Sequence, residues 1–79
     1  MTEYFMNLVD NDSRVLVTSV WKGHAAGIMY QTLNKNSITV FEIDKKFSIY
    51  SSGKAIEEFN TKDDAGTYIL KWILSHIED

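Results

Sequence analysis

The sequence contains no cysteine and no proline, and its 79 residues include only two histidines, at positions 24 and 76. The lack of cysteine excludes disulfide bridges, and two histidines are too few for a zinc site unless several carboxylates join them. A chain of this length has room for one core and hides only about 60% of its unfolded surface. We therefore expect a single domain over residues 1–79, and a homodimer, because a small chain without such braces benefits from shared burial.

The chain also lacks a basic start and a long hydrophobic run. Its first twelve residues carry Glu3, Asp10 and Asp12 where a signal peptide carries Lys or Arg. The longest uncharged stretch rich in apolar residues, Gly23 to Asn34, is too short and too polar to span a bilayer. We expect a cytoplasmic protein that makes no membrane contact.

Motifs that carry chemistry are scarce. Gly23 and Gly27 lack the flanking pattern of a phosphate-binding loop. The nearest approach to a catalytic site is Glu42, Asp44 and Lys46, which resemble the metal-binding half of a nuclease signature. Such a site needs a further acid and a larger supporting fold, whereas charges on either side of a hairpin turn explain the same residues. Neither histidine has a nucleophile or a carboxylate at a recognised spacing, so we expect no enzyme, no metal and no cofactor.

The net charge of −3 is unevenly distributed along the chain. Residues 13–56 carry six basic residues against two acids, a net charge of +4, whereas residues 1–12 carry −3 and residues 57–79 carry −4. The sequence pI of about 5.2 is far below the basic range of nucleic-acid-binding domains. The overall charge therefore favours a protein partner, while the basic middle of the chain keeps a nucleic acid as the alternative.

Strands are predicted along the first part of the chain. The apolar segment from Tyr4 to Val9 and the β-branched segment from Arg14 to Trp21 are separated by Asp10 to Ser13, whose residues favour turns. The two segments are therefore predicted to form an antiparallel hairpin. Apolar side chains lie on both faces of the second strand, which suits a central position in a sheet.

The segment from Ala25 to Leu33 fits either a helix or a strand. Gly27 costs an interior helix about 1 kcal/mol, and a nine-residue segment is short for a helix, so we favour a strand. One face of that strand would present Ala26, Ile28, Tyr30 and Thr32.

The clearest hairpin joins Ile38–Ile43 to Phe47–Tyr50 through Asp44 to Lys46, because the second of these segments alternates apolar and polar residues. Turns rich in Asn, Ser and Gly lie before and after this hairpin, and a last short strand follows. These elements are predicted at Asn34–Asn36, Ser51–Lys54 and Ala55–Phe59.

The C-terminal stretch from Thr61 to Ile77 is predicted to be a helix with a wide apolar side. Thr61 has the position of an N-cap, and Asp63 and Asp64 favour the positive end of the helix dipole. One row at helical spacing is predicted to face the sheet, and Leu70 and Leu74 form a second row beside it. The first row comprises Ala65, Tyr68, Ile69, Trp72, Ile73 and Ile77.

The predicted fold is α+β, a small antiparallel β-meander of four to six strands with one C-terminal α-helix packed on a sheet face. If the ambiguous segment from Ala25 to Leu33 is helical instead, the order becomes two strands, a helix, three strands and a helix.

The second row on the helix is the first functional candidate, because one thin sheet covers one row far more easily than two. We expect a non-enzymatic binding module that acts through protein–protein interaction, with Leu70, Leu74 and Ile77 at the interface with a partner or a second copy. Seven of the eight basic residues are lysine and proline is absent, which is typical of AT-rich bacterial and phage genomes. The expected role is a phage or mobile-element accessory protein that inhibits a host factor.

The alternative function is single-stranded nucleic-acid binding. Aromatic rings on a sheet face stack bases, and lysines in nearby turns hold phosphates. The candidate face comprises Trp21, Lys22, Tyr30, Lys45, Lys46, Tyr50 and Lys54.

Overall fold

The computed structural model describes residues 2–9, 12–23 and 25–77. The five strands form one antiparallel meander in the order β1 to β5, and both helices pack on one face of it. This confirms the predicted α+β fold with a C-terminal helix on the sheet. The elements are α1 (Thr2–Asn7), β1 (Val15–Trp21), β2 (Ala26–Thr32), β3 (Ser37–Ile43), β4 (Lys46–Ser51), β5 (Lys54–Phe59) and α2 (Lys62–His76).

The segment from Ala25 to Leu33, which fits either a helix or a strand by sequence, forms strand β2, in agreement with the favoured prediction.

Tight turns fix the register of the meander. Asp44 and Lys45 have φ of 52° and 65°, and Ser52 and Gly53 have φ of 54° and 79°. Two consecutive residues with positive φ make the turn whose twist matches a two-residue hairpin. The predicted turns at these places are therefore confirmed.

The segment from Tyr4 to Val9 contradicts the prediction of a strand, because most of it belongs to helix α1. Its buried residues, Phe5 and Val9, are four apart, which is a helical spacing. The segment is too short for a helix to be stable alone. Tertiary contacts supply the stability: the Phe5 carbonyl accepts a 2.6 Å hydrogen bond from the Tyr30 hydroxyl, and the Phe5 ring lies 5.9 Å from Phe47.

Because the first segment is a helix, β1 is an edge strand, and the predicted central position is wrong. The register between β1 and β2 shifts between Val17 and Ser19, which is a bulge typical of sheet edges. Leu16, Val20 and Trp21 are 55%, 39% and 38% exposed. Although β1 carries apolar residues on both faces, its two faces are therefore not both buried.

The core lies between the sheet and the two helices. Cross-strand pairs such as Ile28 with Val40, and Val40 with Ile49, carry it across the central strands. Of the predicted helix row, Ala65, Ile69 and Ile73 are buried. The fully enclosed large side chains are Phe5, Ile28, Tyr30, Ile38, Val40, Ile49 and Ile69.

Helix α2 is capped at both ends. The Thr61 side-chain oxygen accepts a 3.2 Å hydrogen bond from the Asp64 amide, which confirms the predicted N-cap. At the other end, the His76 carbonyl accepts hydrogen bonds from the side-chain amides of Asn34, at 2.8 Å, and Asn36, at 3.3 Å. The turn between β2 and β3 thus holds the last turn of the helix. Neither this helix nor α1, within the described residues, is long and apolar enough to cross a membrane.

Candidate binding surface

The face of the sheet opposite the helices, termed the open face, is the candidate binding surface. Its residues are those that pair across strands out of phase with the core, for example Met29 with Thr39 and Thr39 with Tyr50. In the described chain, both helices pack on the other side. The open face comprises Leu16, Ser19, Trp21, Gly27, Met29, Gln31, Ser37, Thr39, Phe41, Ile43, Lys46, Ser48, Tyr50, Ala55 and Glu58.

Three aromatic side chains form a continuous row across the open face. The ring of Phe41 lies 5.2 Å from that of Trp21 and 5.7 Å from that of Tyr50, with interplanar angles of 44° and 82°. These tilted and edge-on arrangements are the ones that aromatic quadrupoles favour. We term Trp21, Phe41 and Tyr50 the ring row; all three side chains remain at least partly exposed.

Gly27 makes the ring row possible. This residue pairs with both Trp21 and Phe41, so it lies between them on β2. A Cβ atom at position 27 would clash with the Phe41 ring. The missing side chain leaves room beside Gly27 for the Phe41 ring, which approaches Trp21.

A groove of about 280 Å³ follows the ring row. Its walls combine aromatic rings with small hydroxyl side chains, so it can take apolar groups and also offer hydrogen bonds. It is lined by Trp21, Met29, Ser37, Thr39, Phe41, Tyr50, Ser52 and Gly53.

Exposed lysines lie at both ends of the ring row. Lys22 directly follows Trp21, and Lys54 begins β5 paired with Ser51, the residue after Tyr50. On the open face itself, Lys46 and Glu58 form an exposed ion pair at 3.7 Å. Acids begin both helices on the opposite side: Glu3 in α1, and Asp63 and Asp64 in α2. The open face is thus close to neutral, with positive charge at its ends.

The residues predicted for a nucleic-acid face do not all lie on one side of the sheet. Trp21, Lys46 and Tyr50 lie on the open face, and Lys22, Lys45 and Lys54 lie in or beside its turns.

Tyr30 does not belong to this face, and its assignment is corrected. It alternates with Met29 and therefore faces the helices, where it is fully buried. Its hydroxyl donates to the Phe5 carbonyl, and burial raises the pKa of Tyr30 well above its ordinary value. Phe41 takes its place in the ring row. Its alternation with the buried Val40 is the sequence signal that could have identified it.

The predicted interface on α2 is exposed in part. Leu70 and Leu74 are 38% and 65% exposed, whereas Ile77 is half-buried and packs against the core. Beside them, the Trp72 and His76 rings stack with their centroids 4.0 Å apart. Helix α2 therefore presents two exposed leucines beside one stacked pair of rings, whereas the open face carries a row of three aromatic rings.

The nuclease-like residues do not come together. Glu42 pairs with Phe47 on the helix side of the sheet, whereas Lys46 pairs with Ile43 on the open face and reaches Glu58. Asp44 lies in the turn between them. Among the described residues there is no group of three or more His, Cys, Asp or Glu side chains that could hold a metal ion. His24 lies outside the described residues.

No protein-family model, curated protein or solved structure matches this chain, so its function is inferred from the chemistry of its own surfaces.

Proposed function

We propose that this protein is a non-enzymatic binding module that docks a protein partner on its open face. The ring row is the observation that supports this most directly, because partly exposed aromatic side chains at the centre of a surface are typical of binding hot spots. A sheet face is also rigid, so little conformational entropy is lost when a partner binds.

The partner segment is apolar or aromatic in its middle and acidic at its ends. Its apolar part fills the groove along the ring row, and its acids meet Lys22 and Lys54. The hydroxyl groups of Ser37 and Thr39 line the same groove and offer hydrogen bonds to the partner's backbone. A phage or mobile-element protein of this kind inhibits a host factor by occupying the partner segment. The host factor then no longer binds its usual target through that segment.

The proposed module is a homodimer. A 79-residue chain without disulfides has little surface to bury in its own core. Exposed apolar side chains on β1 and on α2 are available for contact with a second copy: Leu16, Val20, Trp21, Leu70 and Leu74.

Capture of the partner from the native host, quantified by mass spectrometry, tests the docking surface. Trp21→Ala and Tyr50→Ala should each reduce the captured partner at least about tenfold, because truncation of a hot-spot ring costs about 2 kcal/mol or more. Leu74→Ala is the matched control, an exposed apolar residue on the opposite side. Loss of the partner with Leu74→Ala and retention with Trp21→Ala would move the docking site to α2.

Single-stranded nucleic acid is the second candidate occupant of the same face. The ring row with lysines at both ends is the arrangement that stacks bases and holds phosphates. Binding of labelled oligonucleotides should then weaken steeply as salt is raised, and Lys22→Ala together with Lys54→Ala should flatten that dependence. Absence of oligonucleotide binding at low salt would reject this candidate and leave the protein partner.

A further inference from the structure

The outer side of β1 (Val15–Trp21) is a second candidate binding surface, to which another β-strand can pair. We term it the β1 edge. β1 ends the strand order, so no strand of the described chain pairs with its outer side. None of its seven residues is charged. The opposite edge strand, β5, carries Lys54, Glu57 and Glu58, and charges of this kind keep natural sheet edges from pairing. The two edges are therefore unequal.

We infer that the β1 edge pairs in antiparallel with the β1 edge of a second copy and joins two sheets into one. This inference rests on the homodimer proposed above and names its interface. A twofold contact brings equivalent segments together, and charged side chains on an edge strand disfavour such pairing, whereas the uncharged β1 edge carries no such cost. Because the β5 edge is charged, the assembly closes at two chains instead of growing into a fibre.

The side chains of β1 suit this pairing. The bulge leaves Leu16 and Trp21 on the open face, and Val17 and Val20 on the helix side. A register that sets Leu16 opposite Trp21 of the second copy also sets Val17 opposite Val20. Apolar side chains then meet on both faces of the joined sheet, and each side chain stays on its own face.

A groove of about 450 Å³ beside the start of β1 adds to this interface. Met6 of α1, which is 43% exposed, and Val17 lie along it. In the register above, Val20 of the second copy lies next to Val17 and therefore beside this groove. The twofold axis is perpendicular to the joined sheet, so both open faces lie on the same side and the dimer presents two ring rows to one partner.

Sedimentation equilibrium of the full chain at micromolar concentration tests the inference. The wild type should sediment at twice the 9.1 kDa of one chain. Leu16→Lys should raise the dimer dissociation constant at least about tenfold, because a lysine on an edge strand disfavours pairing. Ile56→Lys is the matched control, since Ile56 is 40% exposed on the other edge strand, and it should leave the dissociation constant unchanged.

Hydrogen exchange provides a measurement that needs no variant. The amides of Val15–Trp21 should become more protected as the protein concentration rises, while those of Lys54–Phe59 should not change. A wild type that sediments as a monomer would overturn both the homodimer and the β1 edge. A dimer that withstands Leu16→Lys but dissociates with Leu70→Glu would retain the homodimer and reject the β1 edge. A monomer whose β1 amides become protected only when host partner is added would show that the edge receives another protein.

Discussion

Tyr30 shows how a single side chain connects the first helix to the sheet. Its ring fills the core from β2, and its hydroxyl donates a hydrogen bond to the Phe5 carbonyl in α1. A buried hydroxyl needs such a partner, because an unpaired polar group in the core costs free energy. Tyr30, which is predicted by sequence to lie on the nucleic-acid face, is therefore a structural residue.

Tyr30→Phe should lower the free energy of unfolding by about 1–2 kcal/mol near neutral pH, because the Phe5 carbonyl loses its partner. Burial, with a smaller contribution from Tyr4, raises the pKa of Tyr30 above its ordinary 10.0, so the folded state holds the proton more tightly than the unfolded chain does. The stabilisation is complete below pH 10 and decreases as the pH rises above it, by up to about 1.4 kcal/mol per pH unit. Chemical denaturation of both proteins measures this.

As the pH is raised from 9 to 11, the difference in unfolding free energy between the wild type and Tyr30→Phe should therefore decrease, since only the wild type carries the phenol with the raised pKa. A difference between the two proteins that stays constant over this range would mean that the Tyr30 phenol is not held in the core in its protonated form.

At the scale of elements, the sequence predicted correctly those caps and turns that are formed by residues close together in the chain. The N-cap at Thr61 and the two-residue turn at Asp44 and Lys45 are such cases, because the residues that form each of them are neighbours in sequence. Helix α1 and the edge position of β1 are the opposite case. Their placement depends on contacts with β2 and β4, which are distant in sequence.

Thr61→Ala should lower the free energy of unfolding by about 1 kcal/mol, because the Asp64 amide loses its side-chain acceptor. Thr67→Ala is the control within the same helix. Thr67 is exposed, and its hydroxyl bonds back to the Asp63 carbonyl, an arrangement that slightly disfavours a helix. Thermal unfolding followed by circular dichroism should therefore show a lower midpoint for Thr61→Ala and an unchanged or raised midpoint for Thr67→Ala; equal effects would refute the cap.

At the scale of the whole molecule, the described residues form a sheet with one covered face and one open face. The helices cover one face with a core of limited size, so the loss of any enclosed side chain removes much of the stability of a small domain. The exposed leucines of α2 contribute little to that core.

Ile69→Ala should cost about 2–4 kcal/mol of unfolding free energy, because Ile69 is fully buried and its truncation leaves a cavity. The double variant Leu70→Glu and Leu74→Glu should change it by less than about 1 kcal/mol, since both side chains are exposed on the same helix. Urea denaturation compares the three proteins. A double variant that unfolds as readily as Ile69→Ala would mean that the exposed row belongs to a buried contact.

The sequence by itself determined the α+β class, the hairpin of β3 and β4 with β5 after it, the cap at Thr61 and the buried row of α2, because each depends on periodicity or on neighbouring residues. Only the tertiary structure decided that Tyr4 to Val9 is helical, that β1 lies at an edge, and that Tyr30 faces the core while Phe41 completes the ring row. Alternation identifies which residues share a face of a strand. Which face the helices cover depends on packing between segments far apart in the chain, and this choice makes the open face the binding surface.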